Sequence, residues 1–110
     1  MFKRHGNEGY VFLKEGVEQK TLAYGKDTLL SEFRLKKGSV VPAHAHAQEQ
    51  TGYLIRGKLK LTTGEESFVA LPGDSWSIPA DAVHGAEALE DSLAVEVFSP
   101  LRDDYLPKNQ

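Results

Sequence analysis

Two histidines separated by one residue, His44 and His46, stand out in this 110-residue chain as side chains able to do chemistry together. Side chains in an extended strand alternate between its two faces, so residues i and i+2 share one. A regular strand here would turn His44, His46, Gln48 and Gln50 to one side and Glu49 to the other. Two imidazoles so spaced can reach one divalent ion. A third, His84 in SIPADAVHGAE, can join them only if the fold closes a long gap. A bare H-x-H pair is as readily a surface or core feature, and its surroundings must decide. Cysteine is absent, which excludes disulfides and thiolate ligands. Nitrogen and oxygen donors suit Zn, Ni, Mn, Fe, Co or Cu alike.

The surroundings carry a pattern: Gly38, five residues, His44, one residue, His46, three residues, Gln50, six residues, Gly57. It resembles the first motif of the cupin superfamily. Pro72, Gly73, Asp74, Pro79 and His84 resemble the second, and the 15 positions from Gly57 to Pro72 suit a short hairpin between the two. The resemblance implies an all-β fold, the cupin double-stranded β-helix, a small antiparallel barrel or jelly roll with one metal ion in its mouth. It also implies His44, His46 and His84 as metal ligands. Cupins usually carry Glu where this chain has Gln50; parity puts Glu49 on the wrong face, so Gln50 is the expected fourth ligand. Three neutral imidazoles and an amide leave the ion's double charge uncompensated. Such an ion is a stronger Lewis acid and a better host for an anionic or hydroxyl-bearing ligand.

The elements that must position these residues read as short strands between turn signals. Residues 1–19 read as an irregular start with one apolar run, Tyr10 to Leu13. Strands are expected at Thr21–Tyr24, Thr28–Leu35, Val40–His46, Gln50–Ile55, Lys58–Thr62, Ser67–Leu71, Ser75–Ile78, Val83–Leu89 and Leu93–Phe98. Pro42 marks its strand as an edge or a bulge. Lys58-Leu59-Lys60-Leu61 alternates as a half-buried strand does. No window holds helical periodicity. The polar tail from Ser99 to Gln110 is expected to wrap the surface or a partner subunit. The whole chain, 1–110, reads as one domain. A net charge of −3 without a basic stripe argues against nucleic acid. No run is apolar enough to span a bilayer, and the first residues do not read as a leader, so the cytoplasm is the default expectation.

A metal needs a proton carrier and a substrate anchor beside it to become a catalyst, and AVEVFSPLRDDYL offers candidates. Glu96 and Phe98 share one strand face, and Arg102 follows the Ser-Pro break. A Glu near a cation and an apolar ring can act as general acid or base. An Arg is the usual bidentate holder of a carboxylate. The plainer alternative is that Leu93, Val95 and Val97 face the core, leaving Glu96 in solvent and Arg102 a solvated charge. The runs HAHAQEQTGYLIRG and VEVFSPLRDDYL resemble the pectin degradation protein, the uronate ketonisation family of small cupins. That resemblance implies ring opening and tautomerisation of 4,5-unsaturated uronates, with a sugar acid or other small carboxylate as ligand and a homodimer as the assembly. It places the family's acid/base on Glu96, its aromatic on Phe98 and its carboxylate-binding arginine on Arg102. The family has Asp where this chain has Glu96, one methylene longer. Two other functions fit the same motif: a binding or sensory cupin without turnover, and an iron-dependent dioxygenase. Trp76 and Tyr53 are candidates to stack on a sugar, though for Trp76 core packing is the first expectation; Asp74 is expected to cap its own turn and His5 to be exposed.

Overall fold

A computed structural model describes residues 1–107. Among them ten strands form two sheets. They are β1 (Val11–Lys14), β2 (Val17–Tyr24), β3 (Leu29–Leu35), β4 (Val40–His44), β5 (Glu49–Arg56), β6 (Leu59–Thr63), β7 (Glu66–Ala70), β8 (Ser75–Ile78), β9 (His84–Ala88) and β10 (Ser92–Ser99). The larger sheet runs β1-β2-β3-β10-β5-β8 and the smaller β4-β9-β6-β7. Every pairing is antiparallel. This is the expected all-β fold of two facing sheets.

Strand patterning explains the facing. In β5, Gln50, Gly52 and Leu54 point in while Glu49, Thr51, Tyr53 and Ile55 point out. In β6, Leu59 and Leu61 are buried and Lys60 is exposed, as the alternation predicts. Gly57 joins these strands at φ +103°, where a side chain would also meet the Asp91 carbonyl. Pro42 lies in β4, which is an edge strand of its sheet and shifts register between Val41 and His44. The Asp74 carboxylate accepts from the Leu71 backbone N–H at 2.8 Å, so it caps its turn as expected.

The registers stack the barrel in layers. At one end Val17, Leu35, Leu54, Leu59, Leu61, Ala70, Ala88 and Ala94 form an apolar plug. Leu54 is fully buried, and such a side chain contributes about 1.5–3 kcal/mol by leaving water. One step along, Gly52 lies opposite both Glu96 and Trp76. One step further, Gln50 pairs with Phe98, and His44 with His84. The polar end is thus the mouth, and the plug closes the other.

One expectation changes, and the choice left open for the tail is decided. The start is not irregular through residue 19, because β1 and β2 already form a hairpin there. Polar side chains hide the pattern: Gln19 and Lys20 are buried at 3% and 7% exposure. They can be buried because Gln19 donates to Ser31 and Thr21, both at 2.9 Å, and Lys20 to the Gly6 carbonyl at 2.8 Å. The tail folds back on the mouth of its own chain as a short 3-10 turn, Asp103–Tyr105. Thr21 donates its hydroxyl to the Tyr105 carbonyl, and Gln48 its amide to the Leu101 carbonyl at 3.2 Å. Lys108 to Gln110, the end of that tail, lie outside the described residues. No helix of the described residues is long and apolar enough to cross a membrane.

Candidate metal centre

The sequence runs extended only to His44, where β4 ends; β5 begins at Glu49. His46 therefore sits in the loop between these strands, just before its bend at Ala47 and Gln48, and not on the regular strand that parity assumed. The loop is held from both sides. The Asp81 backbone N–H donates to the His46 carbonyl at 2.8 Å, and Asp81 adopts φ +66°, a left-handed conformation uncommon outside glycine. This bond draws the turn before His84 against the loop bearing His46.

The three imidazoles converge. Ring centroids lie 4.3 Å apart for His44 and His84, 4.8 Å for His46 and His84, and 5.5 Å for His44 and His46. One ligand atom from each lies within 4.8 Å of the others. Each ring is also fixed in the same way. Nδ1 of His44 faces the Pro42 carbonyl, Nδ1 of His46 the Gln48 carbonyl and Nδ1 of His84 the Ala82 carbonyl, all at 2.9 Å. A carbonyl can only accept, so each Nδ1 carries the hydrogen and each Nε2 keeps its lone pair. Burial lowers the pKa of both His46 and His84, which favours the neutral, ligating form.

Gln50 brings a fourth donor atom. Its Oε1 lies 2.8 Å from Nε2 of His46. With the hydrogen of His46 on Nδ1, that contact sets two lone pairs side by side, an arrangement a cation between them relieves. The donor set therefore fits a divalent metal on geometry and on chemistry. Gln50 Nε2 donates to Oε2 of Glu96 at 2.6 Å, which turns the amide oxygen toward the histidines. The charge that the ligand set lacks thus lies one hydrogen bond away, in the Glu96 carboxylate.

Glu96 points into the barrel and not to solvent: Val97 is the exposed neighbour, at 38%. Burial pushes the Glu96 carboxyl upward, against hydrogen bonds from Trp76 and Gln50 and the nearby Arg102 charge that pull it down. Arg102 stands over the Tyr105 ring at 4.4 Å and the Phe98 ring at 5.2 Å. Its guanidinium already holds the Asp104 carboxylate in a forked pair at 2.7 and 3.0 Å. The three histidines, Gln50, Glu96 and Arg102 line one cavity of about 110 Å³. That is room for about three or four waters, or an ion with the reacting end of a small ligand.

Residues 31–99 match the family model described as "Cupin domain". The chain belongs to the cupin family. Its structure is similar to that of KdgF from Halomonas sp., at 31% identity over 96% of this chain and 98% of that one, with a TM-score of 0.91. An RmlC-like cupin from Shewanella frigidimarina matches at 23% identity over 96% and 95% of the two chains, with a TM-score of 0.90. A Thermotoga maritima cupin, described as a predicted oxalate decarboxylase, matches at 19% over 92% and 100%, with a TM-score of 0.80. The last two are likenesses of fold. No curated protein matches the chain.

In this cupin the other sequence candidates separate. Tyr53 is on the outer face, 49% exposed and away from the cavity, and His5 is exposed. Phe98, 2% exposed, is a wall of the cavity, packed edge-on to His46, Phe33 and Tyr105. One residue joins the site that the sequence did not offer for it, Tyr105, and Trp76 joins it in a role other than sugar stacking. Tyr105 lines the cavity from the tail. Trp76 donates its indole N–H to Glu96 Oε2 at 2.8 Å. The signal for Trp76 lay in Gly52, a glycine inside an otherwise regular strand, which marks a close approach.

Proposed function

We propose that this cupin is a metal-dependent enzyme of small sugar acids, opening the ring of a 4,5-unsaturated uronate and ketonising it to the linear keto acid. The reading is supported by one observation above others: a carboxylate pushed toward neutrality, an arginine and three converging imidazoles line a single cavity. The likeness to KdgF, and the resemblance of both site motifs to the pectin degradation protein, point the same way. One divalent ion held by His44, His46, Gln50 and His84 would supply Lewis acidity toward substrate oxygens.

The chain's own residues would divide the rest of the work. Arg102 holds the substrate carboxylate, exchanging its fork from Asp104 or sharing it. Ring opening leaves an enol, and ketonisation moves one proton from its oxygen to the neighbouring carbon. Glu96 can carry that proton, because burial raises its carboxyl and makes it a stronger base than an exposed carboxylate. Phe98 and Tyr105 wall the cavity and keep water from the reacting carbon. The same reading takes residues 1–110 as one functional unit, acting in the cytoplasm as a homodimer. Support for the dimer comes from the edge strand β1, where Val11, Phe12 and Leu13 are 55%, 68% and 42% exposed.

The test is to measure bound metal in the purified protein and follow conversion of unsaturated galacturonate. The expected result is turnover that His46→Ala abolishes, Glu96→Gln lowers in kcat, and Arg102→Ala weakens mainly through KM. Full activity in both Glu96→Gln and Arg102→Ala would overturn these roles. One observation favours a ligand-binding cupin without turnover: the Arg102 fork is already engaged by Asp104. That reading requires thermal stabilisation by the uronate with no product. Oxygen uptake with ferrous iron would instead indicate a dioxygenase.

A further inference from the structure

Trp76 and Glu96 are not on neighbouring strands. β8 and β10 both pair with β5, which lies between them. Residue 52 of β5 is opposite Trp76 on one side and opposite Glu96 on the other. It is a glycine, at an ordinary backbone φ, so conformational freedom does not account for it. Space does. A Cβ built there would lie 2.2 Å from the indole Nε1 and Cε2 of Trp76. The indole therefore lies flat across the β5 backbone and reaches the next strand but one, donating to Glu96 Oε2 at 2.8 Å. Gln50, also on β5, donates to the same oxygen at 2.6 Å. Both donors hold Oε2, and Oε1 accepts nothing from the described residues.

We infer that Trp76, laid through the gap left by Gly52, is a positioning residue that fixes the Glu96 carboxylate with Oε1 turned to the substrate. Two donors on one oxygen define the plane and rotation of the carboxylate; a single donor leaves it free to swing. Position matters at this site, since a displacement of about 1 Å from productive geometry can reduce a rate about 100-fold. The device also suits this chain in particular, because a glutamate has one more rotatable bond than an aspartate and needs more restraint. The inference rests on the proton-transfer role proposed for Glu96.

The test compares unmodified protein with Trp76→Phe, which keeps an aromatic ring but removes the N–H donor along with part of the indole over Gly52, and with Gly52→Ala, which pushes the indole out. Both are read with the metal loaded, on unsaturated galacturonate. The expected result for Trp76→Phe is a kcat lower by about 10-fold or more, with KM and bound metal within about 2-fold, the range seen when an orienting partner is lost. The chain has a single tryptophan, so indole emission reports the surroundings of Trp76, the Glu96 contact among them. Glu96→Ala and Gly52→Ala should each shift it. An unchanged kcat in Trp76→Phe beside an active unmodified protein would overturn the inference and leave the proposed function standing. So would a fall in kcat that only follows loss of metal, which marks a structural role. No turnover in unmodified metal-loaded protein would overturn the proposed function and this inference with it.

Discussion

The two halves of the cavity are held by opposite means. Each histidine of the triad is locked by a backbone carbonyl two residues from it in the chain. The Glu96 side is locked by side chains from two other strands, Gln50 of β5 and Trp76 of β8. Local restraints survive distant changes, because donor and acceptor move together. Non-local ones depend on the whole sheet keeping its register. The metal end should therefore tolerate disturbance that disables the carboxylate end.

The comparison can be broken most directly at the metal end. His84→Ala removes a proposed ligand and should weaken binding of Zn by more than about 100-fold, beyond the 10–100-fold typical of an outer partner. Competition with a chelating dye measures it, and near-normal affinity would contradict the ligand assignment. At the other end, Gly52→Ala forces a methyl into the indole and should destabilise the fold by about 1–3 kcal/mol, the usual range for overpacking. Denaturant unfolding gives that figure. Zn affinity in the same variant should stay within a few-fold, and a loss as large as that of His84→Ala would show the two halves to be one unit.

Acid sharpens the contrast further. His46 and His84 are held below the ordinary imidazole value of 6.5, burial being the first cause. Between the folded value and 6.5 the unfolded chain binds more protons than the folded one. Stability of the metal-free protein should therefore be full above that window and fall as pH drops through it. Melting temperature against pH tests the sign, and His84→Gln should flatten the curve. The smallest effect belongs to the tail. Thr21→Val removes the hydroxyl that anchors the Tyr105 carbonyl and should reduce stability by about 0.5–1.5 kcal/mol. Its KM for the proposed uronate substrate should rise, since Tyr105 and Arg102 share that tail.

Much of the metal end was legible because its information is local. The spacing of His44, His46 and Gln50, and the Pro-Gly-Asp turn ahead of His84, are short-range patterns. Parity still misled in part. His44 and His46 meet not along a regular strand but across the bend between β4 and β5, held by the Asp81 N–H. The β1-β2 hairpin was invisible for a different reason. Its buried positions include Gln19, facing inward, and Lys20, covered by the N-terminal segment, and polar side chains read as exposed until their partners Ser31, Thr21 and Gly6 are known. Glu96 was a candidate from its place in the strand, but Val95 and Val97 offered an equally good core face.

Residue order alone determined most of the strands from β3 onward, the turn chemistry and the local spacing of His44, His46 and Gln50, because alternation and side-chain spacing act over a few residues. Only the tertiary structure decided that His84 would join the pair, that Glu96 would face inward, and that Trp76 would reach it over Gly52. Those three depend on which strands become neighbours, and strand order is set by packing of the whole chain.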